Sequence, residues 1–396
     1  MDARRHSWLT LTLTLTMTLV LALLLPGCAS APPPAPPLGL LHDQHFAPPT
    51  VRIDAAEVFA INDAMREYLH TDIARSLRTK GQRQGLVDAL YTRGQLRLEY
   101  DTTQTRNATQ AFEARSGNCL SLLIMTAALA RELNVPVQFN QVDVDASWTR
   151  SADLYFMSGH VNLSLGNRKS EVRSWPVNDV VTIDFLPPEA LHGQRTQSLS
   201  EATIIAMFMN NRAAEALAAG DVDNAYWWAR ESLQQAPTFV AGFNTLGVIY
   251  LRRGLLPQAE AVLRQAFAAE PRNTRVIANL AQVLGKLGQD EESRRLGLRL
   301  AELEPVAPFH FMNLGLAALQ RGDALAARAL FERELERSAF NSDLHYWIAV
   351  ASLRIGDVAA AREHLAKAVS QSNSHGERAI YAAKLDRLSA GAAAVH

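Results

Sequence analysis

The apolar positions of this 396-residue chain change rhythm part-way along it. From about Ala206 to His375 the whole pattern returns every 34 residues, marked by Gly220, Gly254, Gly288, Gly322 and Gly356. Each glycine sits in a similar string, from Ala219-Gly220-Asp221 to Ile355-Gly356-Asp357. Leu246-Gly247, Leu280-Ala281, Leu314-Gly315 and Ile348-Ala349 keep phase as a leucine-plus-small pair. Ala225, Ala259, Ala327 and Ala361 hold a second small position, with Ser293 the departure. Pro237, Pro271 and Pro305 close three of the units, and Ala339 replaces the proline in the fourth. Glu377 to Leu388 reads as a closing helix for the exposed end.

Upstream, the pattern is mixed. Val58, Phe59, Ile61, Met65 and Tyr68 lie at roughly helical spacing within Asp54 to Tyr68, and Leu86 to Leu98 reads as a second helix. Thr109 to Arg115 is a short helical approach to a turn at Gly117. Leu120 to Asn134 is apolar nearly all round until Arg131-Glu132, the pattern of a buried helix, and Asn134 and Pro136 end it. Strand alternation follows: Val135 to Val144, then Val161, Leu163 and Leu165, then Val181, Ile183 and Phe185. His160 and Asp184 fall on the polar parity of two such strands.

Composition bounds the reading. The chain is 48% hydrophobic and carries a formal net charge of -1. Length allows two domains with proper cores. No basic stripe runs along it, so no nucleic-acid partner is expected. Arg4, Arg5 and His6 precede an apolar stretch from about Leu9 to Leu25, the layout of a secretory signal. Residues 29–37 are rich in proline and predict a semi-rigid extended spacer. Cys28 and Cys119 are the two cysteines. Cys119 lies in Arg115-Ser116-Gly117-Asn118-Cys119-Leu120-Ser121, at the start of the apolar helix. A thiol there meets unsatisfied backbone N–H groups and the positive end of the helix dipole, which favour a thiolate.

Three resemblances rest on these residues. The 34-residue period and its phased positions resemble the tetratricopeptide repeat over about 206–375, which implies stacked helical hairpins that bury one continuous core and bind a protein or peptide partner in their groove. Leu24-Leu25-Pro26-Gly27-Cys28 resembles the lipobox of bacterial lipoproteins, which implies cleavage before Cys28, its acylation and a membrane anchor. Ala29 after it is similar to the pattern that permits outer-membrane delivery, so an envelope protein facing the periplasm is expected.

The third covers about Asp54 to Pro188. Gly117 to Leu122, continued by Ala127 to Val137, with Gly159-His160-Val161 and Ile183-Asp184-Phe185, resembles the transglutaminase-like superfamily of papain-like folds. The resemblance implies a Cys119-His160-Asp184 triad: Cys119 attacks an amide carbonyl, His160 moves the proton and Asp184 fixes the imidazole. The Cys119 backbone N–H would be one oxyanion donor; the second is left unassigned. No cofactor or metal is expected, since Asp143 and Asp145 have no ligand cluster beside them.

The expected fold class is therefore an α+β papain-like/transglutaminase-like domain followed by an all-α tetratricopeptide-repeat solenoid. The expected layout is a signal over 1–27, the lipidated cysteine and linker over 28–50, the cysteine domain over 51–200, repeats over 206–375, and a capping helix and tail over 376–396. Two functions fit it: an envelope thiol acyl-transfer enzyme of peptidase or amidase type, or a lipid-anchored scaffold without chemistry.

Overall fold

The computed structural model describes residues 38–91, 96, 98–151, 154–166, 180–185, 196–338, 341–372 and 374–393. The leader, Cys28, the proline-rich spacer and Ala339 lie outside them.

The N-terminal part opens with short helices α1 (Asp63–His70), α2 (Ala74–Lys80) and α3 (Gln82–Tyr91). The helix expected from Asp54 begins only at Asp63. Asn62 accepts a hydrogen bond from the Met65 N–H at 3.0 Å, an N-cap that starts a new helix and leaves the 3-10 turn Ala55–Glu57 in the span from Asp54. The helix expected over Leu86 to Leu98 is described over Gln82–Tyr91, starting just after Gly81 at φ 83°, and residues 92–95 and 97 of that expectation lie outside the described residues.

A two-residue strand β1 (Glu99–Tyr100) pairs in parallel with β2 (Ser116–Gly117) across the intervening helix α4 (Ala108–Ala114). Arg115 ends α4 in the left-handed region at φ 50° and turns the chain back to β1. The cysteine helix α5 (Cys119–Glu132) follows, with every residue from Cys119 to Ala130 buried. Gly117 is required there: a Cβ on it would stand 2.6 Å from the Ser121 Cβ.

Strands β3 (Val137–Ser151), β4 (Leu154–Leu165), β5 (Val181–Ile183) and β6 (Thr196–Leu199) form an antiparallel sheet in the order β5-β4-β3-β6. α5 packs against β4, so Val161, Leu163 and Leu165 face its apolar side and are buried. The polar parity is closed off as well. His160, Asn162 and Ser164 are buried too. Asn140 donates to Asn162 at 3.1 Å and to Ser164 at 3.0 Å, so the polar groups satisfy one another across the sheet.

The C-terminal part is a run of antiparallel helix pairs. α6 (Glu201–Ala218) pairs with α7 (Val222–Gln235), α8 (Val240–Arg253) with α9 (Leu256–Ala269), and α10 (Thr274–Lys286) with α11 (Asp290–Leu303). α12 (His310–Gln320) pairs with α13 (Ala324–Leu335) and α14 (Ser342–Arg354) with α15 (Val358–Gln371), before the closing helix α16 (His375–Ala393). The five phased glycines all sit between paired helices with φ from 76° to 84°, a region closed to most other residues. Gly247 and Gly315 serve close approach instead: a Cβ on either would stand 2.5 Å from Leu263 or Phe331 of the partner helix. Ser293, the odd residue at its small position, donates to the Ala281 carbonyl at 2.8 Å.

The array is not uniform. One hydrophobic core runs from the cysteine domain through α11, and a second begins at Ala318 in α12. Phe309, at φ 57°, lies at the junction. Residues 38–50, expected within the linker, are instead held against α7 and α8, where Phe46 is buried. Among the described residues, no helix is long and apolar enough to cross a membrane.

Candidate functional site

Three local devices fix Cys119. Asn118 is the N-cap of α5, accepting from the Ser121 N–H at 2.9 Å and from the Ser121 hydroxyl at 2.8 Å. Its amide nitrogen donates to Thr105 Oγ1 at 2.9 Å. Asp101, gripped by Arg106 through both guanidinium nitrogens at 3.1 Å, shapes the loop that brings Thr105 there. Held through both its amide oxygen and its amide nitrogen, Asn118 fixes the helix start. Cys119 is left 9% exposed, at the rim of the core.

His160 comes from β4 and Asp184 from the end of β5, two adjacent strands of one sheet. His160 Nε2 lies 2.7 Å from Asp184 Oδ1. The second carboxylate oxygen accepts from Asn162 Nδ2 at 2.9 Å, and the Asp184 backbone carbonyl accepts from the Tyr91 hydroxyl at 2.9 Å. Asp184 is thus pinned at three atoms. The Cys119 thiol is a further polar neighbour that acts on the imidazole. With Nε2 on the carboxylate, Nδ1 is the ring nitrogen left for the sulfur. Residues 119, 160 and 184, far apart in sequence, meet in one cluster.

The electrostatics follow from that packing. Burial pulls the imidazole of His160 toward neutrality, yet the hydrogen bond to Asp184, with the thiol and the carboxylate charge, outweighs it and raises the group to about 9. The ring can therefore carry a proton at neutral pH between a carboxylate and a sulfur.

Two neighbours escaped the sequence reading. Tyr100 pairs with Gly117 in the β1–β2 ladder, and the Asp101 N–H donates to the Gly117 carbonyl at 3.0 Å. That register sets the Tyr100 hydroxyl against both the backbone and the thiol of Cys119. Burial first, then the thiol, pushes the phenol above the ordinary tyrosine range, so it stays a neutral O–H. No local signal marks it, because a parallel pairing of two residues leaves no periodicity. Asn162 was visible only as a residue on the histidine's parity. Among possible further donors, Asn118 is occupied as above, Gln141 is exposed, and the Trp148 side chain lies outside the described residues.

Residues 312–376 match the family model of the tetratricopeptide repeat. The C-terminal array is a helical solenoid of tetratricopeptide-like repeats. Solved structures similar to the chain include TTC0263, a thermophilic tetratricopeptide protein of Thermus thermophilus, at 19% identity over 46% of this chain and 98% of that one, with a TM-score of 0.28. PilF of Pseudomonas aeruginosa is 20% identical over 46% and 91%, with a TM-score of 0.25. YrrB, titled a tetratricopeptide protein with an unusual peptide-binding site, is 20% identical over 46% and 92%, also at 0.25. No curated protein matches the chain.

Proposed function

We propose that the chain is a cysteine-dependent acyl-transfer enzyme of the transglutaminase-like kind, acting as a peptidase or amidase, whose repeats recruit the protein it processes. The observation that carries this reading is the placement of the His160 ring between Asp184, 2.7 Å away, and the Cys119 thiol. A tetratricopeptide solenoid supports protein–protein interaction in either case, so a scaffold needs no such cluster. Buried side chains assembled from a helix start and two strands into a sulfur–imidazole–carboxylate line favour chemistry.

In the proposed reaction, the thiol proton rests on the His160 imidazolium, which holds it at neutral pH, and the sulfur attacks an amide carbonyl carbon. The C–N bond then breaks, His160 returns the proton to the leaving amine, and a thioester remains on Cys119. Water, deprotonated by the same imidazole, attacks the thioester and releases the acid and the thiol. Asp184 keeps the ring in the tautomer with its proton on Nε2 and stabilises its charged form. The Tyr100 hydroxyl is the donor available for the oxyanion beside the helix start. Hydrolysis is preferred over cross-linking because no amine-acceptor site is evident among the described residues.

The envelope location and the acyl anchor on Cys28 belong to the same proposal and rest on the sequence of the leader alone. The test is iodoacetamide labelling of Cys119, followed by mass spectrometry of its own peptide so that Cys28 does not contribute. Cys119 should alkylate far faster than a model thiol at mildly acidic pH, and His160→Ala should slow it by on the order of 100-fold, the scale of acid–base assistance. Ordinary thiol kinetics would leave only the scaffold. Trapping the partner on the Cys119→Ala chain would then identify the substrate.

A further inference from the structure

Residues 38–50 carry almost no regular structure of their own beyond two 3-10 turns, Leu38–Leu40 and Asp43–His45. Leu38 is 65% exposed, and the buried residue of the segment is Phe46. Leu40 and Leu41 pack half-buried against the same core. Hydrogen bonds from the repeats add to that packing, and they read both the backbone of the segment and one of its charges.

The charge is Asp43. Its Oδ1 accepts from the Tyr226 hydroxyl at 2.5 Å and from Arg230 Nε at 3.0 Å, a charge-assisted pair. The ring is Phe46, stacked on Tyr226 at 3.9 Å between centroids and 2° between planes, with the Arg253 guanidinium 5.3 Å from its centroid. Residues i and i+3 eclipse in a 3-10 turn, which puts the carboxylate and the ring on one side of the segment. Tyr226 meets both.

The backbone contacts are independent of these side chains. Tyr250 donates to the Leu40 carbonyl at 2.7 Å, and Arg253 donates to the His45 carbonyl at 3.0 Å. Trp227 donates to the Ala47 carbonyl at 2.6 Å, while the Ala47 N–H donates to Asp223 at 3.0 Å. Asn224 engages both the N–H and the hydroxyl of Thr50, at 3.0 and 2.7 Å. Main-chain reading plus pockets for a few side chains is how grooves recognise extended peptides.

We propose that the face built by α7 and the end of α8 is a peptide-recognition site for a segment with a carboxylate three residues before an aromatic ring, and that residues 38–50 occupy it in cis. The surface is therefore closed to other peptides of this chemistry while the chain's own segment stays. This assignment does not depend on whether Cys119 reacts.

The test uses the full-length chain with a specific protease sequence inserted between Val51 and Arg52, both exposed. The probe is a fluorescent synthetic peptide of residues 38–50, followed by anisotropy. A short tether supplies an effective concentration on the order of millimolar, so for a micromolar peptide the uncut chain should bind on the order of 100-fold more weakly or worse. After cleavage and dilution the chain should release its N-terminal fragment and bind the probe. Tyr226→Phe with Arg230→Ala should weaken that binding by about tenfold or more, as should Asp43→Ala in the peptide, since each removes a charge-assisted hydrogen bond. Equal binding by the cut and uncut chains would overturn the proposal, as would indifference to the Asp43→Ala peptide. A fragment that resists excess peptide, or whose release abolishes the cooperative melt, would make the segment part of the fold and overturn it as well.

Discussion

Replacing Asp184 by asparagine tests the electrostatics of the cluster with little change of shape. His160 titrates near 9 rather than at its ordinary 6.5, which at about 1.4 kcal/mol per pH unit is a preference for the charged ring of about 3 kcal/mol. The carboxylate supplies both a hydrogen bond at 2.7 Å and a full charge; the carboxamide of the Asp184→Asn variant would keep at most a neutral contact. Burial, which lowers the group, would then be opposed mainly by the thiol, and the midpoint should fall by about two pH units or more.

A histidine raised on folding stabilises the fold fully below its unfolded value of 6.5, and the contribution disappears as pH rises through about 9. The stability gap between native and Asp184→Asn chains should therefore be largest near pH 6, at about 2–3 kcal/mol, and should shrink by about pH 10. Histidine-selective NMR, with the signal assigned by its loss in His160→Gln, reads the midpoint; urea titrations at the two pH values read the gap. A variant still titrating near 9, or a gap independent of pH, would refute the claim that Asp184 holds the imidazolium.

Further outcomes are expected elsewhere. Asn162→Ala strips a donor from Asp184 Oδ2 and leaves Asn140 short of an acceptor, so it should cost about 1–3 kcal/mol and lower the His160 midpoint, both read in the same NMR and urea series. Asn118→Ala removes the cap of the cysteine helix and its link to Thr105; a loss of about 1 kcal/mol with slower Cys119 alkylation is expected, and unchanged alkylation would detach the cap from the site. Gly247→Val should lower the melting temperature of the solenoid through overpacking of about 1–3 kcal/mol or more, since even a Cβ there stands 2.5 Å from Leu263. Circular dichroism in the helical band reads that change.

The repeat array was legible because its signals are local. Helical periodicity, a glycine in each left-handed turn and a small residue at each close approach are written into consecutive residues, and five matching turns reinforce one another. The buried run behind Cys119 is equally local: its apolar positions predict a helix from Leu120, one residue after its start at Cys119. Alternation likewise marked the strands bearing His160 and Asp184, but not what surrounds their polar parity. A period of two says which side chains share a face, not whether that face meets water or a polar lattice of Asn140, Asn162 and Ser164.

What tertiary structure alone decided is long-range pairing. Tyr100 reaches Cys119 through a two-residue parallel ladder, and Asp43 reaches Tyr226 and Arg230 across most of the N-terminal half. Neither contact leaves a trace in neighbouring residues, because the partners are chosen by where the chain returns. Local sequence sets the elements and their buried faces; the closing of loops between them sets which polar groups are left to find one another.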